Sequence, residues 1–343
     1  MTTPNPKRRA TVHDVARVAG ISHATVSRYL NKRAYVSQAS AEAIEAAIRS
    51  VNYTPNRTAR SLVTQSTRAV AFVVREYSEF FFADSNLSAM AAAANKTLSA
   101  EGYQMLLVII ESDEAAERIV DLIIGGFVDG ALLVAMRDDD PVAEAIARST
   151  IPAITASAPE LPVGLPSVDT DNAGGSRAIT RLLADSGRTR LAEIAGPAPM
   201  PAARLRHDGF VEARGAAYEP SLSIAAAEWS VEAGAAAMRE LLERGEPIDG
   251  VVAASDALAA GAIDAIHAAG LTVPADIAVV GFDDSPWATR IRPTLTTVRQ
   301  DPGATGRRMA ERMMAHLGGE ALDDVAEVIP NVIVERESTA PGA

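Results

Sequence analysis

Apolar positions recur along this 343-residue chain with two different periods, and the change of period divides it. Near the N-terminus the period is helical. Val12, Val15, Ala16 and Ala19 stand at i, i+3, i+4 and i+7, one face of a two-turn helix. Thr11-Val12-His13-Asp14 has the form of a capping box, the Thr11 hydroxyl serving free N–H groups of the first turn. Gly20 ends this helix, and Ile21 is set to plug the corner of a tight turn. Ser22 can cap a second helix, with Val26 and Leu30 inward and Ala24 and Thr25 outside that pair. Ile44, Ala47, Ile48 and Val51 predict a third helix after the cap candidates Ser37 and Ser40. Three short helices with a glycine turn between the first two describe a helix-turn-helix. Pro55 then blocks continuation, Asn56 is a good N-cap, and the eight or so residues to Val63 are too few for an independently stable helix. That segment reads as a hinge, followed by the short linker Gln65-Ser66-Thr67.

A new regime begins at Ala69. Ala69–Val74, Tyr103–Ile110, Gly130–Val134, Ala153–Thr155, Leu191–Ile194, Gly250–Ala254 and Ile277–Gly281 are short apolar runs of the kind buried parallel strands require. Between them lie helical patterns at Glu114–Ile124, Ala143–Arg148, Ala173–Ala184, Gly209–Arg214, Ala233–Arg244 and Leu258–Ala269. Glu76 to Leu87 reads as a polar-aromatic loop, and an alanine-rich helix follows to about Ala100. Alternation of this sort predicts parallel sheets with helices on both faces. The length beyond residue 69 suits two sheets. The fold class is therefore an all-α head with a hinge helix, followed by an α/β core of two subdomains.

Charge sharpens the division. The net charge of −12 conceals eleven Lys/Arg against three acids in residues 1–68, and 21 against 41 in the remainder. A basic head on an acidic body suits a polyanion-binding module attached to something else. No run of 18 apolar residues exists, and the basic N-terminus precedes no apolar leader, so a cytoplasmic, nucleoid-associated chain is expected. Zero cysteines exclude disulfides and thiolate metal sites. Five scattered histidines lack ligand spacing, and no phosphate loop, dinucleotide fingerprint, zinc-protease motif or nucleophile elbow is present. No catalytic residue, metal or cofactor is expected.

On the second predicted helix His23, Ala24 and Arg28 point outward. An arginine there can donate two hydrogen bonds to guanine, and an alanine can meet a thymine methyl. Thr11, Ser22, Ser27 and Asn31 suit phosphate contacts. An ordinary solvated helix face could carry the same residues. In the core, Asp283 follows an apolar run, Ser255 follows Val251–Ala254, and Arg206 follows Ile194-x-Gly196-Pro197. Carboxylate, hydroxyl and guanidinium at strand ends can bind sugar hydroxyls. Trp229 could stack on the apolar face of a pyranose, or pack, and Arg206 could instead pair with Asp283 to lock its lobe. Asp256 is read as a loop brace, and Asp138-Asp139-Asp140 and Asp323-Asp324 as solvated loops.

Asp14-Val15-Ala16, Ala19-Gly20-Ile21-Ser22, Thr25-Val26-Ser27-Arg28 and Asn52-Tyr53-x-Pro55-Asn56-Arg57-x-Ala59 resemble the head of LacI/GalR-family transcriptional regulators. The likeness continues in the core. It runs through Val168-Asp169-Thr170-Asp171-Asn172, Arg204-x-Arg206-x-x-Gly209-Phe210, Ser255-Asp256-x-x-Ala259, Val279-Val280-Gly281-Phe282-Asp283-Asp284 and Leu295-Thr296-Thr297-Val298-Arg299-Gln300. The resemblance implies a hinge helix that inserts a leucine, here Leu62, into the minor groove, with Asn56, Arg57 and Ala59 beside it on DNA. It also implies a core similar to periplasmic sugar-binding proteins. Subdomain one would be about 68–165 and 298–325, and subdomain two about 166–297 and 326–337. The whole would divide into a head at 1–55, hinge and linker at 56–67, a core at 68–337 and a disordered tail at 338–343.

Arg206, Trp229, Ser255 and Asp283 fall at family effector positions. The implied partners are a pseudo-palindromic double-stranded operator, a small sugar-like effector and a second copy of the chain. The implied function is a ligand-responsive repressor of sugar-utilisation genes. Three departures stand out. Ser255 replaces a common Asn, Asp84-Ser85-Asn86-Leu87 replaces Asn-Pro-Phe-Phe after about five extra residues including Phe80, Phe81 and Phe82, and Ser157 stands near where a polar ligand residue often sits.

Overall fold

The computed structural model describes residues 10–30, 35–54, 66–76, 78–156, 164–322 and 326–339. The chain separates into two units, Met1–Thr67 and Arg68–Ala343. Asn31, Asn56, Arg57, Ala59, Leu62, Gln65, Ser157 and Asp323-Asp324 lie outside the described residues.

The first unit is built from α1 (Val12–Ala19), α2 (His23–Leu30) and α3 (Gln38–Ser50). The capping box forms as the sequence predicts: Asp14 N–H donates to the Thr11 hydroxyl, and the Asp14 carboxylate accepts from Thr11 N–H at 3.0 Å. Gly20 at φ +65° closes α1 in the left-handed conformation that a residue with Cβ adopts only at a cost. Ser37, not Ser40, caps α3. Val15, Val26, Ile44, Ala47 and Tyr53 form one buried cluster, joined by Val12, Ala16, Ala19, Ile21, Ile48 and Val51. The predicted apolar stripes are the faces that meet.

The second unit holds two lobes. In the first, β1 (Ala69–Val74), β2 (Gln104–Ile109), β3 (Gly130–Val134) and β4 (Ala153–Thr155) form a parallel sheet in the order β2-β1-β3-β4. β1 is buried at every position, as a central parallel strand should be, whereas β2 is an edge strand and partly exposed. The stretch read as a loop from Glu76 contains a short helix, α4 (Ser78–Ala83), before α5 (Ser85–Ala100). Phe81 explains the difference: it is buried in the first-lobe core, while Phe82 beside it is exposed. Then come α6 (Asp113–Leu122), which runs into a π-turn at Ile123–Phe127, and α7 (Pro141–Ala147).

The second lobe has a six-stranded sheet. Its strands are β6 (Leu191–Ala195), β7 (Ser223–Ala225), β8 (Gly250–Ala253), β9 (Ala278–Asp283), β10 (Thr296–Arg299) and β12 (Val332–Val334), in the order β12-β10-β9-β8-β6-β7. All pair in parallel except β12 on β10. Its helices are α8 (Asn172–Asp185), α9 (Pro201–Arg214), α10 (Val231–Glu243), α11 (Asp256–Ala268) and α12 (Trp287–Arg290), and α13 (Pro302–Leu317) returns to the first lobe.

The lobe boundaries differ from those expected. β5 (Val168–Thr170) pairs with β11 (Glu327–Ile329), and Ser167 bridges to Thr155 of β4. Val168 and Ile329 pack into the first-lobe core, so 166–170 and 326–329 belong with that lobe. β10 lies wholly in the second sheet. The tail also begins later than its composition implies. Ser338 is fully buried, its hydroxyl donating to Val279 O at 2.6 Å and accepting from Thr296 N–H at 2.8 Å. Two small polar residues at a chain end look dispensable until a strand edge needs partners.

Candidate functional site

In the head, packing decides which side of α2 is available. Val26 is buried against α1 and α3, which leaves Ser22, His23, Ala24 and Arg28 exposed on the opposite side, with Ser27 half-buried. Arg28 lies back along its own helix, Nε on Ala24 O at 3.3 Å and Nη2 on the Thr25 hydroxyl at 3.2 Å. These are exposed bonds that a better acceptor can displace. His23 stacks on His13, ring centres 4.4 Å apart, tying the start of α2 to the start of α1. Thr11 and Ser22 spend their oxygens as caps for α1 and α2. The outward residues thus gather on one face at the start of the second helix, where such a helix meets base edges.

In the second lobe the parallel register brings the carboxyl ends of β6, β8 and β9 to one edge of the sheet. Arg206 reaches this edge from α9 and is almost entirely buried. Its Nε donates to Asn172 Oδ1 at 2.8 Å, and its Nη1 donates to Ala254 O at 2.6 Å and Asp283 Oδ1 at 3.3 Å. The guanidinium lies 3.8 Å from the centre of the Phe282 ring and 5.6 Å from that of Trp229. Asp283 Oδ1 also accepts from Gln300 Nε2 at 2.6 Å. Among the described residues Arg206 Nη2 and Asp283 Oδ2 make no hydrogen bond, so a donor and an acceptor are left side by side at the strand ends.

The backbone here is held under strain. Asp283 and Asp284 have φ of 115° and 55°, which for residues with Cβ costs roughly 1–3 kcal/mol each. Asp284 is clamped by Arg299 and Arg336, each at 2.6 Å. Asp256 braces the same loop as the sequence predicts, accepting from Ser285 N–H at 2.6 Å and from the Thr297 hydroxyl. Burial pushes the Asp283 carboxyl up to about 6, against the pull of Arg206 and with Asp84 adding to the rise. Burial, and then the charge of Asp283, push Asp256 up to about 8.

Trp229 packs half-buried over Gly196, where a Cβ would stand 2.1 Å from the ring. Glycine lets the indole settle at the strand end, so packing and access to the edge coexist. Ser255 is buried, and its hydroxyl accepts from Leu258 N–H at 3.3 Å as the cap of α11. Its proton stays available to an acceptor. Arg206, Trp229 and Asp283 are thus brought together, and Ser255 sits under them with a structural task.

Reading the sequence missed four contributors: Asn172, Phe282, Gln300 and Asp84. The first three lie in the quoted motifs, Phe282 directly before Asp283. Asp84 comes from the first lobe, where its carboxylate caps α5 through Asn86 N–H at 2.7 Å and Leu87 N–H at 3.1 Å. Burial raises its pKa, while those N–H groups and the Arg206 guanidinium pull it down. Asp138 and Asp140 are not merely solvated loop residues. Asp138 joins the lobes, accepting from Arg204 Nε at 3.1 Å while its N–H donates to Pro199 O at 2.8 Å. Asp140 is buried, caps α7 and pairs with Arg75. Among the described residues no cluster of His, Asp and Glu is set to hold a metal ion, and no helix is long and apolar enough to cross a membrane.

Comparison with known proteins agrees with this division of labour. Residues 11–56 match the family described as bacterial regulatory proteins, lacI family, and residues 180–339 match a periplasmic binding protein-like domain. The HTH-type transcriptional regulator CelR of Thermobifida fusca is 37% identical over 340 residues, 97% of this chain and 99% of that protein. A solved CelR–cellobiose complex is 36% identical, with a TM-score of 0.75 over 96% of this chain and 100% of the other. The lac repressor dimer bound to operator and the anti-inducer ONPF is 28% identical, with a TM-score of 0.85 over 97% of this chain and 100% of the other. With a helix-turn-helix at one end, a two-lobed α/β core behind it and relatives aligned over nearly its full length, the chain belongs to the lacI family of bacterial regulatory proteins.

Proposed function

We propose that this chain is a transcriptional repressor whose grip on an operator is altered by a small saccharide held at Arg206 and Asp283. The observation that carries the ligand class is the pairing of a free guanidinium nitrogen with a free carboxylate oxygen over Phe282 and near Trp229. Vicinal hydroxyls both donate and accept, so they meet both groups at once, and the aromatic rings suit the apolar face of a sugar ring. The solved complex of the relative with cellobiose supports a glucoside in particular. Trp229 is the stacking platform, and Ser255 contributes its hydroxyl from below.

The head, residues 1–55, reads the DNA. His23, Ala24 and Arg28 meet base edges, while Thr11, Ser22, Ser27 and Asn31 meet phosphates. Residues 56–67 form a conditional hinge in which Asn56, Arg57, Ala59 and Leu62 engage the minor groove. Residues 68–337 bind effector and a second copy of the chain, and two heads then face a pseudo-palindromic operator, as the lac repressor dimer supports. The protein acts by binding rather than catalysis, in the cytoplasm. Saccharide closing the lobes changes the hinge equilibrium, a coupling typically about 1–3 kcal/mol. The test is fluorescence anisotropy on an operator selected from random sequence, with and without cellobiose. A several-fold change in affinity that galactose and ribose do not reproduce supports the reading. An affinity unmoved by any saccharide refutes it.

A further inference from the structure

We infer that the stacked pair His13–His23 makes the head's grip on DNA proton-linked: the pair takes up a proton against the DNA backbone, and His13 is its phosphate contact. The two imidazoles lie face to face, ring centres 4.4 Å apart and planes 19° from parallel. Both residues are exposed, and His23 shares its side of α2 with Ala24 and Arg28. The stack sets His13 beside that side, on the first helix, which in a helix-turn-helix crosses the backbone. Among the described residues neither ring makes a hydrogen bond or an ion pair, so their donors are unspent.

The counter-charge for an imidazolium here has to come from outside the head. Residues 1–68 hold three acids, Asp14, Glu42 and Glu45. Asp14, next to His13 in sequence, accepts from Thr11 and pairs with Arg17 at 2.9 Å. From α3, Glu45 accepts from the Tyr29 hydroxyl and lies 3.8 Å from Arg49, while Glu42 accepts from Gln38 Nε2 at 3.1 Å. α2 offers no acid, only Arg28, whose guanidinium lies along its own helix. Every carboxylate of the head is thus engaged elsewhere. A phosphodiester changes the balance, because an anion within about 4–6 Å favours the charged ring, and a protonated histidine donates from both nitrogens. Imidazole titrates ordinarily at about 6.5, which puts this change within the physiological range. Bound DNA then holds a proton that the free head does not, and affinity rises as pH falls.

This linkage rests on the DNA-reading role proposed above. Its test is fluorescence anisotropy of the full chain on the selected operator and on an unrelated duplex, at fixed ionic strength, from about pH 6 to about pH 8. Wild type, His13→Gln and His13→Tyr are compared, each with a circular dichroism melt to show that it is folded. Tyrosine keeps a ring on His23 but carries no imidazole proton. Other titrating groups act alike in all three proteins, so the differences isolate His13. Wild type should bind both DNAs roughly three- to tenfold more tightly at the acid end, as a proton held more firmly by half to one pH unit requires. Its log–log salt slope should steepen there by up to about 0.9. Both variants should lose that pH dependence. A wild-type affinity flat in pH, or a dependence that either folded variant retains, overturns this inference and leaves the proposed function standing. A dependence confined to the operator moves the proton to a base contact and overturns the phosphate assignment. No binding to operator at any pH overturns the functional reading and this linkage together.

Discussion

Replacing Asp283 with asparagine separates a carboxylate kept for ligand from one kept for stability. In the folded chain its pKa is pushed from 3.8 to about 6, with burial as the main cause, despite Arg206 at 3.3 Å. A raised acid means that the folded state holds a proton that the unfolded chain has already lost. The associated stability is fully present below the ordinary carboxylate value and is lost as pH rises through about 6. At 1.36 kcal/mol per pH unit, the gap corresponds to about 3 kcal/mol by pH 8 or so. Asparagine, like the protonated acid, never carries the charge. Urea unfolding of both proteins across the window from about pH 5 to about pH 8 should therefore show the variant gaining on wild type as pH rises, by about 1.4 kcal/mol, the remainder of the loss falling below pH 5.

Because Asp256 titrates higher still, and partly through the charge of Asp283, only the difference between the two proteins isolates the residue. The same substitution should abolish or severely weaken the operator response to cellobiose, since an acceptor of ligand hydroxyls is lost from a ligand-facing pair. Operator affinity without ligand should stay within a few-fold of wild type, about 1 kcal/mol or less. A wild type that instead becomes more stable than Asp283→Asn on going to alkaline pH would refute the reasoning. Arg206 and Asp283 would then be a structural lock whose charge the fold requires.

Three further outcomes are expected. Arg28→Ala should relax base preference in operator selections, losing about 1–3 kcal/mol of discrimination at one position, whereas Arg57→Ala should weaken all sequences alike and flatten the salt dependence; equal effects on specificity would overturn both roles. Thr11→Ala should lower the stability of the head by about 1 kcal/mol in thermal unfolding, because the hydroxyl that accepts from Asp14 N–H and donates to the Asp14 carboxylate is lost, and a change within error would refute the capping role. Arg204→Ala and Asp138→Asn, combined in a double-mutant cycle on operator affinity, should show a coupling of roughly 0.5–1 kcal/mol, as suits a partly exposed pair bridging the lobes; strict additivity would mean that the contact does not bias the lobe equilibrium.

What was legible without coordinates was whatever depends on neighbours in sequence. Helical spacing at Val12, Val15, Ala16 and Ala19, a cap at Thr11 and a glycine at position 20 are local facts, and the head follows from them. Apolar runs such as Ala69–Val74 likewise announce buried parallel strands, because a strand covered on both faces buries six apolar residues without alternation and this run is short and rich in valine. Strand-end chemistry at Arg206 and Asp283 was also within reach, since parallel sheets collect their loops at one edge.

Tertiary structure alone decided the rest. That Arg206 is shared among Asn172, Ala254 and Asp283, with Gln300 on the same carboxylate, depends on residues separated by 17 to 77 positions. No spacing rule predicts such a convergence. Phe81 turned an expected loop into a helix because a core lay beneath it, and Ser338 left its expected tail because Val279 and Thr296 needed partners. Burial of a charged or polar group is a property of what the remainder of the chain packs around it. The sequence could therefore name the groups able to bind DNA and sugar. Only the packed core determined which of their atoms were already taken, and which among the described residues, such as Arg206 Nη2, were left without a hydrogen bond.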